Sequence, residues 1–258
     1  MCKVLEKFEM SDCRPRSLPS EQKIQCNDDD ELADARRYRE AVGSLIYAMT
    51  CTRPDICWTI TRLSQYCSKP LKAHWMTVKH LLRYLKGTVD NKLCYKKVDN
   101  DLTFIGYSDA DWASYEQDRC SISGYCFSLT KTGPLISWKS KKQHTVALSS
   151  CEAEYVALAY AVQEGVYLTN ILSHIDKGCT SEPVLIYEDN QDAIALAKDP
   201  LNRQRSKHID IRYHFIRREL SNGKVIVKYC PTDEMVADVM TKAATKHKLV
   251  KFECFLCG

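Results

Sequence analysis

Apolar residues recur at helical spacing between residues 36 and 87 of the chain. Val42, Leu45, Ile46 and Met49 share one face, Pro54 is placed to open a second helix carrying Ile56, Ile60 and Leu63, and Trp75, Val78, Leu82 and Leu85 stripe a third. Lys86-Gly87 supplies a stop signal for that third helix. Three amphipathic helices of this length predict a small bundle in which nothing polar converges. Ahead of them, Pro15, Pro19 and the acidic run 28–31 break any period, so residues 1–34 read as a poorly ordered lead-in.

After Thr88 the period changes. β-rich stretches at 93–97, 102–108, 124–129 and 134–138, the last two separated by the turn signal Thr130-Lys-Thr-Gly133, predict an antiparallel meander. Ser149-Ser150-Cys151-Glu152 then resembles a capping box, and a long helix runs through Ala153, Val156, Ala157, Tyr160, Ala161 and Leu168 to about residue 173. A strand at 183–187, a helix at 190–198, a basic loop to His208, a helix at 209–220, the turn Ser221-Asn-Gly223, a strand at 224–229 and a helix from 232 to about 245 follow. Counted from Leu102 the order is β-β-β-α-β-α-α-β-α. The expected class is therefore α/β, a mixed sheet with flanking helices. The expected division is a lead-in over 1–34, a helical region over 35–97, the sheet domain over 98–245 and a tail over 246–258.

Composition leaves that picture intact and narrows the function classes. With 258 residues, 45% hydrophobic and 27% charged, the chain matches globular usage and not collagen-like or disordered usage. The uncharged stretch at 41–52 is too short to span a bilayer, and the first 25 residues lack a basic flank with an apolar run. No membrane association and no secretion are expected. The 14 cysteines are scattered without framework spacing and read as free thiols, with the one Cys-x-x-Cys, Cys254 and Cys257, placed in the tail.

The net charge of +4 is uneven, because residues 200–258 hold 12 Lys and Arg against 6 Asp and Glu. Smaller basic clusters are Lys139, Lys141 and Lys142 beside Trp138, and Lys79, Arg83 and Lys86 on the third helix. Such clusters either track a phosphate backbone or form a solvated face. Trp112 and Trp138, each beside a strand, read as core residues in preference to stacking platforms.

Sites in mixed sheets gather at strand ends and at the starts of adjoining helices. Four acids sit there. Asp109 ends the strand from Leu102, Asp189 ends the strand 183–187, Glu154 lies in the first turns of the long helix, and Asp238 lies in the last helix between Val236-Ala237 and Val239-Met240. A charge in that last setting needs a partner cation, which a divalent metal would supply. Asp111 would point to the same strand face as Asp109, and Glu152 competes with Glu154 for the helix position.

The segments Gly106-Tyr-Ser-Asp-Ala-Asp-Trp112, Ser123-Gly-Tyr125, Ser137-Trp-Lys-Ser-Lys-Lys142, Val146-Ala-Leu-Ser-Ser150 with Glu152-Ala-Glu-Tyr155, Asp189-Asn-Gln191, Lys207-His-Ile-Asp-Ile-Arg212, and Ala237-Asp238 with Thr241-Lys242 together resemble the ribonuclease H domain of copia-type retrotransposon Pol polyproteins. Upstream, residues 10–19 and 38–47 (Tyr-Arg-Glu-Ala-Val-Gly-Ser-Leu-Ile-Tyr), Thr52-Arg-Pro-Asp55 and Leu82-Arg-Tyr-Leu-Lys-Gly87 resemble the thumb and connection that follow the polymerase palm. The resemblance implies a ribonuclease H-like sheet and four metal-binding acids, Asp109, Glu154, Asp189 and Asp238, with Glu152 left as a helix cap. It also implies two Mg²⁺ ions, with Mn²⁺ as a substitute. Asp109 would bridge the two ions, Glu154 and Asp189 would hold the one near the leaving oxygen, and Asp238 would help hold the one that activates water.

The implied activity is endonucleolytic hydrolysis of the RNA strand of RNA:DNA hybrids within a Pol protein. Its implied partners are the hybrid itself and the upstream polymerase part. The implied location is a cytoplasmic virus-like particle or the nucleus. Lys207, His208 and Arg212 match the family's basic motif and are expected to touch the substrate strand. The other reading of them is local, with His208 capping a helix and Arg212 pairing with Asp210 or Glu219. The chain differs from the family pattern at Cys120, Cys151 and Glu188, and the loop from Tyr229 to Asp233 holds no histidine. It contains no Tyr-x-Asp-Asp sequence, so it is not expected to copy nucleic acid. Two other readings compete: a catalytically inactive or host-retained nucleic-acid-binding fragment, and a two-metal enzyme that cuts DNA instead of hybrids.

Overall fold

The structure is a computed structural model that describes residues 1–21, 31–96, 104–115, 117–131, 133–175, 182–198 and 207–256, with backbone alone at 207–211 and 213. Two compact units form, one from Met1–Cys94 together with Lys242–Gly258 and the other from Tyr95–Thr241.

The first unit is helical. It begins with α1 (Cys2–Lys7), followed by α2 (Ala35–Cys51), a 3₁₀ turn at Pro54–Ile56, α3 (Cys57–Ser64) and α4 (Lys72–Gly87). Asp34 caps α2, its Oδ1 accepting the Arg36 and Arg37 amides at 2.9 and 3.1 Å. The predicted stripes meet in one core of Val42, Leu45, Ile56, Ile60, Leu63, Val78, Leu82 and Leu85. Tyr38 lies within that core and donates its hydroxyl to Leu63 O at 2.8 Å. Ile46 turns partly to solvent instead.

Polar groups do converge in this bundle, contrary to the sequence reading. Arg53 grips Asp55 through Nε–Oδ1 at 2.9 Å and Nη2–Oδ2 at 2.6 Å, and both residues are buried. Tyr84 OH donates to the same carboxylate at 2.7 Å, while Arg53 Nη1 donates to Thr88 O at 3.0 Å. A buried charge pair survives when its remaining donors and acceptors are filled, and this one ties the 3₁₀ turn to the end of α4.

The second unit holds β1 (Ile105–Asp111), β2 (Ile122–Ser128), β3 (Leu135–Lys142), α5 (Ser150–Ile175), β4 (Val184–Glu188), α6 (Gln191–Lys198), α7 (Lys207–Ser221), β5 (Val225–Tyr229) and α8 (Asp238–Thr241). The sheet order is β3-β2-β1-β4-β5, antiparallel for β1–β2 and β2–β3 and parallel for β1–β4 and β4–β5. This is a mixed sheet with flanking helices, the layout that the resemblance implies. Phe127, Tyr155, Leu158, Val162, Val184, Ile186, Ile216, Val225 and Val227 form its core. β2 is buried at every position and β1 at all but Asp111, which is why neither strand shows a clean two-residue alternation in sequence.

Several predicted elements change. Residues 93–96 form no strand, and Tyr95 instead sends its hydroxyl to Leu135 O at 2.6 Å. The long helix expected from 232 becomes a 3₁₀ turn at Thr232–Glu234 and the single turn of α8. Met235, Val236, Ala237, Val239 and Met240 are all buried, a pattern that no one-sided surface helix could satisfy. The lead-in and the tail also carry structure. Leu5 and Phe8 are buried in the core of the first unit, and α9 (Lys246–Lys251) and α10 (Glu253–Leu256) follow at the carboxyl end, with Leu249 packed against that core.

Candidate metal centre

Three carboxylates converge in the second unit. Asp109 lies on β1, Asp189 lies one residue past β4, and Glu154 lies in the second turn of α5, with one oxygen from each inside a mutual distance of 4.8 Å. Asp109 is 1% exposed and Glu154 7%, so mutual repulsion acts at low dielectric and is weakly screened. Asp238 is buried and opens α8, outside the set of three. Asp111 ends β1 partly exposed and is not in that set either.

Local sequence explains the placement. Parallel pairing of β1 with β4 brings Ser108 level with Glu188, so the following residues, Asp109 and Asp189, emerge side by side at the strand ends. α5 is pinned by Gln143, whose Nε2 donates to Ser123 Oγ at 2.8 Å and to Ala153 O at 2.9 Å, fixing the turn that carries Glu154. Glu152 is used differently. Its Oε2 accepts the Leu148 amide at 2.9 Å while its own amide donates to Ser149 Oγ at 3.2 Å, a reciprocal cap at the start of the helix.

α8 reaches the sheet because residue 124, opposite Asp109 in the β1–β2 register, is glycine. A Cβ there would lie 2.6 Å from Thr241 Cγ2 and 2.8 Å from Met240 Cβ. The close approach lets Thr241 Oγ1 donate to Asp109 Oδ2. Asp189 Oδ2 accepts from Thr232 Oγ1 at 2.7 Å, and Asn190 Oδ1 caps α6 through the Ala193 amide at 2.9 Å.

Sequence reasoning missed Thr232, Thr241 and Glu188. Glu188 is fully buried and its Oε1 accepts the Asn190 amide at 3.3 Å. Burial, reinforced by Asp109 and Asp189, holds its carboxyl well above the usual range. The one available signal was the departure from the family pattern at position 188. Trp112 also departs from the core position expected of it. It is 49% exposed, with its indole N–H fixed on Ala147 O at 3.0 Å, and is not a core residue. Trp138 is partly buried. The side chains of Lys207, His208 and Asp210 lie outside the described residues, whereas Arg212 Cζ sits 5.9 Å from the Tyr160 ring centroid. Glu219 pairs with Arg218 at 2.8 Å and Lys224 at 3.6 Å, not with Arg212.

The donor set is all carboxylate oxygen, with no thiol or imidazole, and suits a hard divalent cation with several waters retained. The residues thus fit the metal that the resemblance implies.

No protein-family model matches the chain. Among curated proteins, it is 39% identical over 254 residues to the retrovirus-related Pol polyprotein from transposon TNT 1-94 of Nicotiana tabacum, covering 95% of this chain and 19% of that protein. It is 38% identical over 245 residues to the corresponding polyprotein from transposon RE2 of Arabidopsis thaliana, covering 94% and 16%. The chain belongs to the Pol family of copia-type retrotransposons. This Pol-family chain therefore spans less than a fifth of the length of those two relatives. Among solved structures, a foamy viral protease-reverse transcriptase in complex with RNA/DNA hybrid aligns with 90% of this chain and 27% of its own, at a TM-score of 0.53 and 12% identity, a likeness of fold.

Proposed function

We propose that residues 95–241 form a metal-dependent endonuclease that hydrolyses the RNA strand of RNA:DNA hybrids as part of a transposon Pol protein. The observation that carries this reading is the convergence of Asp109, Glu154 and Asp189 at the ends of β1 and β4 and the start of α5, in a chain of the Pol family. Asp109, Glu154 and Asp189 would hold the metal, and Asp238, three residues before Thr241 on α8, would complete the acidic set. Two Mg²⁺ ions, or Mn²⁺ in their place, would supply charge stabilisation at the scissile phosphate and lower the pKa of a nearby water. The chain's own contribution is to fix the carboxylates. Thr241 orients Asp109, Thr232 orients Asp189 and Gln143 anchors the turn bearing Glu154. Discrimination of RNA from DNA falls to contacts with the 2′-hydroxyl.

The test is a substrate panel with purified protein: a hybrid labelled on its RNA strand, single-stranded RNA and duplex DNA, each in Mg²⁺ and in chelator. Cutting of RNA within the hybrid alone, and only with metal, supports the reading. Cutting of duplex DNA with hybrids left whole would replace it with the DNA strand-cutting alternative, and metal-dependent cutting of no substrate would leave a binding fragment.

A further inference from the structure

Away from the carboxylates, α5 presents Tyr160 within reach of two cations delivered by different elements. Lys141 Nζ, from β3, lies 4.6 Å from the ring centroid, and Arg212 Cζ, from α7, lies 5.9 Å from it. All three side chains are partly buried. Among the described residues, neither cation has a carboxylate at ion-pair distance. The acid one turn along α5, Glu164, spends its oxygens on neutral donors, Ser137 Oγ at 2.7 Å and Tyr125 OH at 3.1 Å. Lys139, two residues before Lys141 and on the same strand face, adds a third positive charge that is exposed.

Like charges gathered around one ring repel each other, and the ring's negative face offsets only part of that repulsion. A bound anion with charge repeated along its length would offset the rest. We propose that Lys141, Tyr160 and Arg212 form a binding site for the phosphodiester backbone of nucleic acid, on the helical side of the sheet and separate from the carboxylate centre. Lys141 offers a point charge, Arg212 a planar fork suited to two phosphate oxygens, and Tyr160 an apolar surface for a sugar or base. The inference deepens the nuclease reading and rests on it for the nature of the ligand, since the same unit carries the acids suited to phosphodiester chemistry.

The experiment is fluorescence anisotropy of a short labelled RNA:DNA hybrid bound to the full chain, in chelator so that the strand stays whole, across a salt series. Each phosphate contact contributes about 0.9 to the slope of log affinity against log salt for duplex DNA. The double variant Lys141→Ala/Arg212→Ala is expected to lose roughly 2 from the magnitude of that slope and about tenfold in affinity near the upper end of a 50–200 mM range. The charge-conserving variant Lys141→Arg/Arg212→Lys is expected to restore the slope. An unchanged slope in the double variant overturns the site, as does an equal loss in the charge-conserving one. Hybrid cleavage by a wild-type protein whose double variant binds normally would leave the nuclease reading standing and remove only this site. A wild-type chain that binds no hybrid at all overturns both. Competition by polyglutamate as effective as that by nucleic acid would assign the patch to acidic polypeptides instead.

Discussion

The hydroxyl of Thr241 is the smallest feature with a measurable consequence. It donates to a carboxylate oxygen of Asp109 inside a buried site, so Thr241→Val removes a donor from a buried charge while keeping the shape of the side chain. Loss of such a bond costs about 1–3 kcal/mol. Beyond that loss, the Mg²⁺ concentration needed to raise the melting temperature should move upward in Thr241→Val and return in Thr241→Ser. An unmoved metal midpoint would reduce Thr241 to a packing residue. Glu188 tests the electrostatics. Its carboxyl binds a proton more tightly folded than unfolded, so the stability it contributes is complete below the unfolded value near pH 4 and falls as pH rises above it. Glu188→Gln, melted in chelator, should therefore exceed wild type at neutral pH, with the gap closing toward pH 4. A gap that widens on acidification would reverse the sign of this assignment. The placing of Asp109 and Asp189 at strand ends and of Glu154 at a helix start was legible in the sequence, whereas a metal-binding role for them was only what the resemblance implied. Glu188 was not legible, because an acid next to Asp189 reads as one more turn residue until pairing with β1 shows that it points into the core.

At the scale of elements, the bundle helices α2 and α4 were readable from their 3.6-residue stripes, since each buries one face, and α3 was readable from Ile60 and Leu63 even though Cys57, Trp58 and Thr59 are buried beside them. The short α8 was not. The apolar run around Asp238 reads in sequence as part of a longer helix, although its residues are buried on every side, and only the close approach at Gly124 reveals a single turn laid on the sheet. Gly124→Ala should displace that turn. The expected result is a lower melting temperature together with loss of hybrid cleavage, checked by calorimetry and by product yield, and retention of both would mean that the sheet yields around the methyl. In the helical unit, Arg53 and Asp55 are each buried with the other as partner, so Asp55→Ala should destabilise by about 3–5 kcal/mol through the uncompensated guanidinium left behind. Chemical denaturation measures this, and a loss under 1 kcal/mol would show that water reaches Arg53 once its partner is gone.

On the scale of the whole molecule, the chain leaves one unit near residue 94 and returns to it at residue 242, so the carboxyl-terminal residues complete a core begun by the first. No periodicity in sequence announces such a return, because α9 and α10 are too short to display one and Leu249 meets its neighbours from far along the chain. Among the described residues, no helix is long and apolar enough to cross a membrane. The order of the sheet elements from Leu102 was readable because β-rich runs and a long capped helix alternate with clear turns, and the site follows from that order. We propose above that the carboxylates gathered by this fold are a metal-dependent nuclease centre. The most direct measurement compares cleavage of an RNA-labelled hybrid in Mg²⁺ by the wild type and by Asp109→Asn, with melting curves of both. Cutting by the wild type alone is expected, with a variant that melts at or above the wild-type temperature in chelator because one source of buried repulsion is gone. Cutting by Asp109→Asn at the wild-type rate would contradict the proposal.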